Sequence, residues 1–345
     1  MKSLKDYSLN LTEKEYHAYP AWSYSLIARY AREGFSAIKT LHEPIKPNDA
    51  MRFGSLFDAI LTHEGNASNE YAVMSMSVPD AERKVLDVLA TISSESFECV
   101  SDTDFQAAIS ATAYQPRWKY DTQLSHLQPY AEYYNLLKSG KEIVSQDEWN
   151  DAMEMFRAVK ENEYLKEHFK NGTVDGVEFI YQAQFKVKYK PGNHPMIELK
   201  IMPDLLEVNH NEKTIRPWDV KSSGMEGFDF AEHWVKMRYD IQGELYTDVL
   251  QALIMKIPEY ADYRILPYLF MDISRKDKVP VTFEYDPRDE AQTNGLCYQI
   301  GEKTYQYKGY RQLLDEILDY EASAAVVPSY IKLDSPNDLL KLLNK

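Results

Sequence analysis

The chain has 345 residues, 44% of them hydrophobic, enough for one large domain with a sizeable buried core. Its net charge of -15 argues against binding polyanions over the whole surface, but leaves room for a local basic groove or a metal-rich acidic site. The two cysteines, Cys99 and Cys297, cannot alone supply a four-thiolate zinc or iron–sulfur centre and fit a reducing compartment. With no apolar run of about 18 residues and no apolar leader in "MKSLKDYSLNLTEKEY", a cytoplasmic protein without a membrane span is expected.

In chain order, "SYSLIARYAREGF" predicts a helix capped by Ser23 and ending before Gly34. "NDAMRFGSLFDAILTHEG" predicts a second, with Met51, Leu56, Ile60 and Leu61 at helical spacing. "PDAERKVLDVLATI" opens with Pro-Asp and a first-turn Glu82. The stretch "ATAYQPRWKYDTQLSHLQPY" reads as irregular, basic and aromatic, and holds Arg117, Trp118, Lys119 and Tyr120. Ser145 and Glu148 form a capping-box pattern at the head of "SQDEWNDAMEMFRAVKENEYLKEHF". In "VEFIYQAQFKVKYK" apolar residues alternate from Val177 to Tyr189, which predicts one half-buried strand. "PMIELKIMPDLLEVN" and "KTIRPWDVKSS" predict two more strands, with the turn "NHNE" between them. A long helix over 228–256, strands at "YRILPYLFMDIS" and "PVTFEY", a helix at "YRQLLDEILDYEASAA" and a short terminal helix follow. The expected architecture is one α/β domain over residues 1–345. Residues 1–170 are mostly helical, 171–285 carry the sheet and the next helix, and 286–345 are helical.

The hairpin over "PDLLEVN" and "PWDVKSS" places charge in a specific pattern. A turn centred on His210 and Asn211 sets Asp204 opposite Pro217 and makes Asp219 its diagonal neighbour, about 7–8 Å away on the same face. Lys221 shares that face, because strand side chains repeat every two residues. Two carboxylates and one ammonium then converge on one point. A hard cation such as Mg²⁺ takes oxygen ligands. A lysine beside it can hold or deprotonate water, which is equipment for metal-assisted phosphodiester hydrolysis. Asp-x-Lys alone is common and is usually a surface ion pair. Pro203-Asp204 followed at this distance by Asp219-Val220-Lys221 is a narrower pattern.

These residues resemble the PD-(D/E)XK nuclease superfamily. Pro203-Asp204 stands as the "PD" and Asp219-x-Lys221 as the "(D/E)XK". The next helix carries Gln242 and Tyr246 as a Gln-x-x-x-Tyr motif on one helix face. From about Tyr16 to Gln251 the chain is most similar to the RecE-type, exonuclease VIII-like exonucleases of phages and prophages. The likeness runs through "YHAYPAWSYSLIARY", "AMRFGSLFDAILTHEG", "GKEIVSQDEWNDAMEMFRAVKEN" and "VEFIYQAQF". It implies a restriction-endonuclease-like core: a mixed central sheet flanked by helices, with a helical N-terminal extension. It implies Mg²⁺, with Mn²⁺ as a substitute, held by Asp204, Asp219 and the Val220 carbonyl, with Lys221 orienting or activating water. Glu178 would contact a second metal or a water of the site, and Gln242 and Tyr246 the phosphate and base near the scissile bond. The implied task is 5′ to 3′ digestion of double-stranded DNA ends in phage-type recombination or repair. It would take place in a bacterial or phage-infected cytoplasm, by a homo-oligomer working with a single-strand annealing protein. One position departs from the family: Gly54 is followed four residues later by Asp58 where a ligand histidine is the rule. Asp58 is expected to serve as the oxygen ligand there. His63, five residues on and about 140° around the helix, is expected to face elsewhere.

Each site residue also has a plainer reading. Glu178 can pair with a strand lysine such as Lys186. Lys186, Lys188 and Lys190 can be a solvated strand face rather than a phosphate track. Arg117, Trp118 and Lys119 suit stacking on a DNA end, but equally an ordinary loop. Alternatives on the same residues are an endonuclease, a nuclease of single strands or flaps, and a DNA-binding module with a relic nuclease fold.

Overall fold

The computed structural model describes residues 2–225, 229–288, 295–300 and 302–322. The short terminal helix and half of the expected 286–345 helical part lie outside them. The chain divides into two compact units, Met51–Arg157, and Met1–Ala50 with Ala158–Lys345. The first fifty residues thus belong with the sheet rather than with the helices that follow them, unlike the helical segment expected over 1–170. In those fifty residues, α1 (Glu13–Ala18) opens on a Thr12–Glu15 capping box. Next, α2 (Tyr24–Glu33) starts after Ser23, whose side chain makes no cap bond, and stops at Gly34 with φ 62°.

The unit Met51–Arg157 is helical. It takes in most of α3 (Asp49–Thr62), α4 (Asp80–Ile92), α5 (Asp102–Thr112), α6 (Tyr120–Leu127), α7 (Ala131–Lys138) and most of α8 (Gln146–Glu161), with a short parallel pair, β1 (Tyr71–Met74) and β2 (Glu142–Ser145). Val85, Leu86 and Leu89 form one stripe of α4 and bury against Phe97, Phe105 and Tyr134. The Ser145–Glu148 capping box is present: Glu148 N–H donates to Ser145 Oγ at 3.1 Å and Ser145 N–H to Glu148 at 3.0 Å. The stretch expected to be irregular, residues 111–130, holds the end of α5, all of α6 and a 3-10 turn over Gln128–Tyr130, and only residues 113–119 remain loop. Gln123 inside α6 explains this, since its amide donates to the carbonyls of Tyr114 (2.7 Å) and Gln115 (3.1 Å) and ties the loop to the helix.

The other unit is built on a seven-stranded mixed sheet. Its strands are β3 (Gly172–Val174), β4 (Val177–Tyr181), β7 (Leu205–Asn209), β8 (Thr214–Ser223), β9 (Arg264–Ile265), β10 (Tyr268–Ser274) and β11 (Pro280–Tyr285). They run in the order β11-β10-β8-β7-β4-β3, with β9 also beside β8. β8 is parallel to β9 and β10, and the remaining pairs are antiparallel. A separate two-stranded ladder holds β5 (Phe185–Tyr189) and β6 (Ile197–Ile201).

The single strands expected over 177–190 and 196–209 are each broken. Tyr181 pairs with Leu205 and Phe185 with Ile201 in one continuous register, so β4–β5 and β6–β7 form a single long hairpin bent at 182–184 against 202–204. The reason is local. Gln182 takes φ 49°, and Pro203 has no N–H to give to a ladder. The Gln182 N–H still donates to the Asp204 carbonyl at 3.1 Å, which stitches the bend.

The long helix expected over 228–256 is likewise two helices, α9 (Phe230–Met237) and α10 (Tyr239–Ile254). The break is Arg238, left-handed at φ 61° and held by a forked pair with Asp240 (3.0 and 2.9 Å). The fresh start lays α10 on one sheet face. Ile180, Leu206, Val208, Ile215, Tyr268 and Phe270 share that face by register, and bury with Ile241, Leu245 and Val249 of α10. A last ladder, β12 (Cys297–Ile300) with β13 (Lys303–Gln306), precedes α11 (Tyr310–Ala322). The unit is therefore mixed α/β, with helices against a mixed central sheet. Among the described residues no helix is long and apolar enough to cross a membrane.

Candidate active site

β7 and β8 pair as Leu205↔Trp218 through Asn209↔Thr214. The turn centre is one residue later than the sequence suggests, between Asn211 and Glu212. Pairing therefore slips by two, and Asp204 continues the register directly opposite Asp219 instead of Pro217. A two-residue slip preserves the face, so the expected convergence survives the error. β7 begins only at Leu205, whereas β8 runs on to Ser223 beside β10 alone. Asp204 stands in the resulting gap, and its Oδ2 accepts the Val220 N–H at 2.7 Å. In an extended strand, the N–H and C=O of one residue point to the same edge. The Val220 carbonyl therefore faces the gap too, and the residue whose N–H the register would aim at it is Pro203. The "PD" pair supplies a carboxylate and withholds a donor.

Asp219 is 2% exposed. Its Oδ1 accepts from the Gln242 side-chain amide, and its Oδ2 lies 2.7 Å from Lys221 Nζ, without hydrogen-bond geometry. The Lys221 side chain is 24% exposed and its ammonium rests 4.8 Å from the centre of the Tyr239 ring. Burial pulls Lys221 down, but Asp219, then Tyr239, Asp204 and Tyr24, outweigh it and hold the ammonium well above the usual lysine range. Tyr246, one turn beyond Gln242, is buried near the same carboxylates. Burial, with Asp219 and Asp204, pushes its phenol above the ordinary value.

No family model and no curated protein matches the chain.

The residues named from sequence are distributed unevenly. Asp204, Asp219, Val220, Lys221, Gln242 and Tyr246 come together. Gln242 is 4% exposed and its side-chain amide donates to Asp219 Oδ1. Glu178 is on the same sheet face but opposite Val208, four residues along β8 from Asp219 and so about 13 Å down the strand. Its carboxylate accepts from Ser3 Oγ at 2.5 Å and lies 3.4 Å from His210 Nε2, so the Lys186 pairing does not form and Glu178 stands apart from the other named residues. Lys186 pairs instead with Glu198 at 3.0 Å.

In the unit Met51–Arg157, Asp58 is half-buried in the middle of α3, and its role as ligand rests on the sequence alone. His63 pairs with Glu70 at 2.9 Å, as expected of a residue facing elsewhere. Arg117, Trp118 and Lys119 are exposed in the loop before α6, with the Trp118 ring 4.5 Å from that of His126.

One member escaped the sequence reading. Asp272 of β10 pairs in register with Lys221 and is 0% exposed. Burial raises its carboxyl to about 6, against the Ser223 hydroxyl, which donates to Oδ2 at 3.0 Å. The available signal was a lone acid inside the apolar run "YLFMDIS".

Among the described residues no three His, Cys, Asp or Glu side chains gather as a metal site. Mg²⁺ does not require three, since it is commonly bound through one or two carboxylates and keeps several waters. Asp204, Asp219 and the Val220 carbonyl are an all-oxygen set, and Asp219 Oδ2, ion-paired with Lys221, accepts no hydrogen bond. The donor set fits a hard divalent cation.

Proposed function

We propose that the chain is a divalent-cation-dependent deoxyribonuclease with a PD-(D/E)XK-type core, digesting double-stranded DNA from its ends, 5′ to 3′. The observation that carries this is the gap at the end of β7. There two carboxylates face each other across adjacent strands, with a lysine two residues beyond one of them. A bound Mg²⁺ supplies charge neutralisation at a phosphate and acidifies water. The protein does the rest. Asp204 and Asp219 hold the cation with the Val220 carbonyl. Gln242 fixes the Asp219 rotamer through Oδ1, leaving Oδ2 to turn toward the gap. Lys221, whose side chain is partly exposed, presents an N–H to the attacking water or to a phosphate oxygen. Tyr239 under its ammonium limits where that charge can go.

Preference for ends rests on the resemblance and on the exposed Trp118 beside Arg117 and Lys119, which offers a stacking surface. A homo-oligomer and a single-strand annealing partner are part of the same reading. The test is incubation of 5′-labelled linear duplex and covalently closed circles with Mg²⁺ or a chelator. The expected result is Mg²⁺-dependent loss of the linear DNA to mononucleotides while circles persist. Linearised circles would establish an endonuclease instead. DNA bound and uncut in both forms would establish a binding module.

A further inference from the structure

We infer that Asp272 is a positioning residue for Lys221: it receives the lysine ammonium when a cation takes Asp219. The inference rests on the proposed cation site. Asp219 has only two oxygens. Oδ1 accepts from Gln242, and Oδ2 is 2.7 Å from Lys221 Nζ. A cation bound through Asp219 therefore competes with Lys221 for Oδ2. The displaced ammonium is largely buried and needs another anion, because an unpaired buried charge is costly.

Asp272 is placed to be that anion. It is the register partner of Lys221 on the neighbouring parallel strand, roughly 4.8 Å away between backbones and on the same face. Its Oδ2 is fixed by Ser223 Oγ at 3.0 Å, while its Oδ1 is buried without any hydrogen-bond partner. A buried carboxylate oxygen left unsatisfied needs an explanation. The groups that face it are Lys221 and Ser223 from β8, Tyr239 from α10, and Asp277 beyond the end of β10. Among the described residues, Lys221 is the only cation of these groups. The Tyr239 ring lies against the ammonium now and can stay in contact as Lys221 swings from one carboxylate to the other.

The test is calorimetric titration with Mn²⁺, without DNA, of four full-length chains: wild type, Asp272→Asn, Lys221→Met and the double variant. Asp272→Asn traps Lys221 on Asp219, and is expected to weaken Mn²⁺ binding about tenfold. Lys221→Met removes the competitor and tightens binding. In that background Asp272→Asn is expected to change affinity less than about threefold, a coupling that a purely structural role does not produce. Equal weakening in both backgrounds would overturn the inference and leave the cation site standing. Absence of Mn²⁺ binding by the wild type would remove the cation site as well. Should Asp272→Asn fold poorly, the unaltered chain supplies the answer. Mg²⁺ should shift both the Asp272 carboxyl ¹³C and the Lys221 Cε resonances, and an unmoved Asp272 signal contradicts the transfer.

Discussion

At Asp219 two consequences of substitution must be separated. Asp219→Ala strips a partly buried lysine of its counter-ion and a buried amide of its acceptor at once, at a cost on the order of 3 kcal/mol. A loss of cleavage in that variant can therefore reflect unfolding. Asp219→Asn preserves the volume and can still accept from Gln242, but carries no charge for a cation. It is expected to keep its thermal midpoint within a few degrees, and to lose Mg²⁺-dependent cleavage by about two to three orders of magnitude. Initial rates on linear duplex, beside a melting curve, check both halves. A folded Asn variant with near wild-type rates contradicts the assignment. Lys221→Met should lose turnover while retaining DNA affinity, because its contribution belongs to the transition state. Lost affinity at an unchanged rate would reduce Lys221 to a phosphate contact.

Among the elements, the ends of β7 and α9 matter most, and the sequence was least legible there. Face assignment along the hairpin survived because side-chain parity tolerates a two-residue slip. The bends did not show, because apolar residues continue through them: Ala183 and Phe185 are both buried, in step with Val187. Only Pro203 marked the break, and it reads equally as an edge proline. The Arg238 break was invisible because it depends on a forked pair with Asp240 and on the distant Lys308 carbonyl (2.6 Å). Asp272 was hidden for the opposite reason: its role comes from a register partner 51 positions earlier. The account of Pro203 is testable. Pro203→Ala restores an N–H opposite the Val220 carbonyl. It should lengthen the β7–β8 ladder with stability unchanged or raised, and weaken Mn²⁺ binding several-fold. Undiminished Mn²⁺ affinity would mean that the carbonyl is not a ligand. Gly243→Ala probes the seat of α10, since a Cβ there stands 2.7 Å from the Tyr285 ring. Despite its better helix propensity, alanine should destabilise by about 1–3 kcal/mol, read from denaturant midpoints.

For the whole molecule, acid groups buried around α10 set the pH dependence of stability. Burial raises Glu244 from 4.5 to about 7, against Arg311 and the Tyr310 N–H. Its folded state therefore holds a proton that the unfolded chain releases. The stabilisation is complete below pH 4.5 and is lost as pH rises toward 7. Asp272, raised to about 6, adds to the loss with the same sign. Glu244→Gln should remove its share, on the order of 2–3 kcal/mol at neutral pH. Melting curves from pH 4 to 8 should show the variant gaining on the wild type as pH rises. A constant difference contradicts the burial argument. The same measurement reads a property of the fold that the net charge of -15 does not reveal, because these two acids are buried and not part of a solvated surface.

The most direct test of the central claim is anomalous diffraction from crystals of the full chain soaked in Mn²⁺. The account predicts a peak in the gap beyond β7, coordinated by Asp204, Asp219 and the Val220 carbonyl, with Lys221 moved off Asp219 Oδ2 toward Asp272. A crystal saturated with Mn²⁺ elsewhere, with the gap empty and Lys221 still paired to Asp219, would contradict the account.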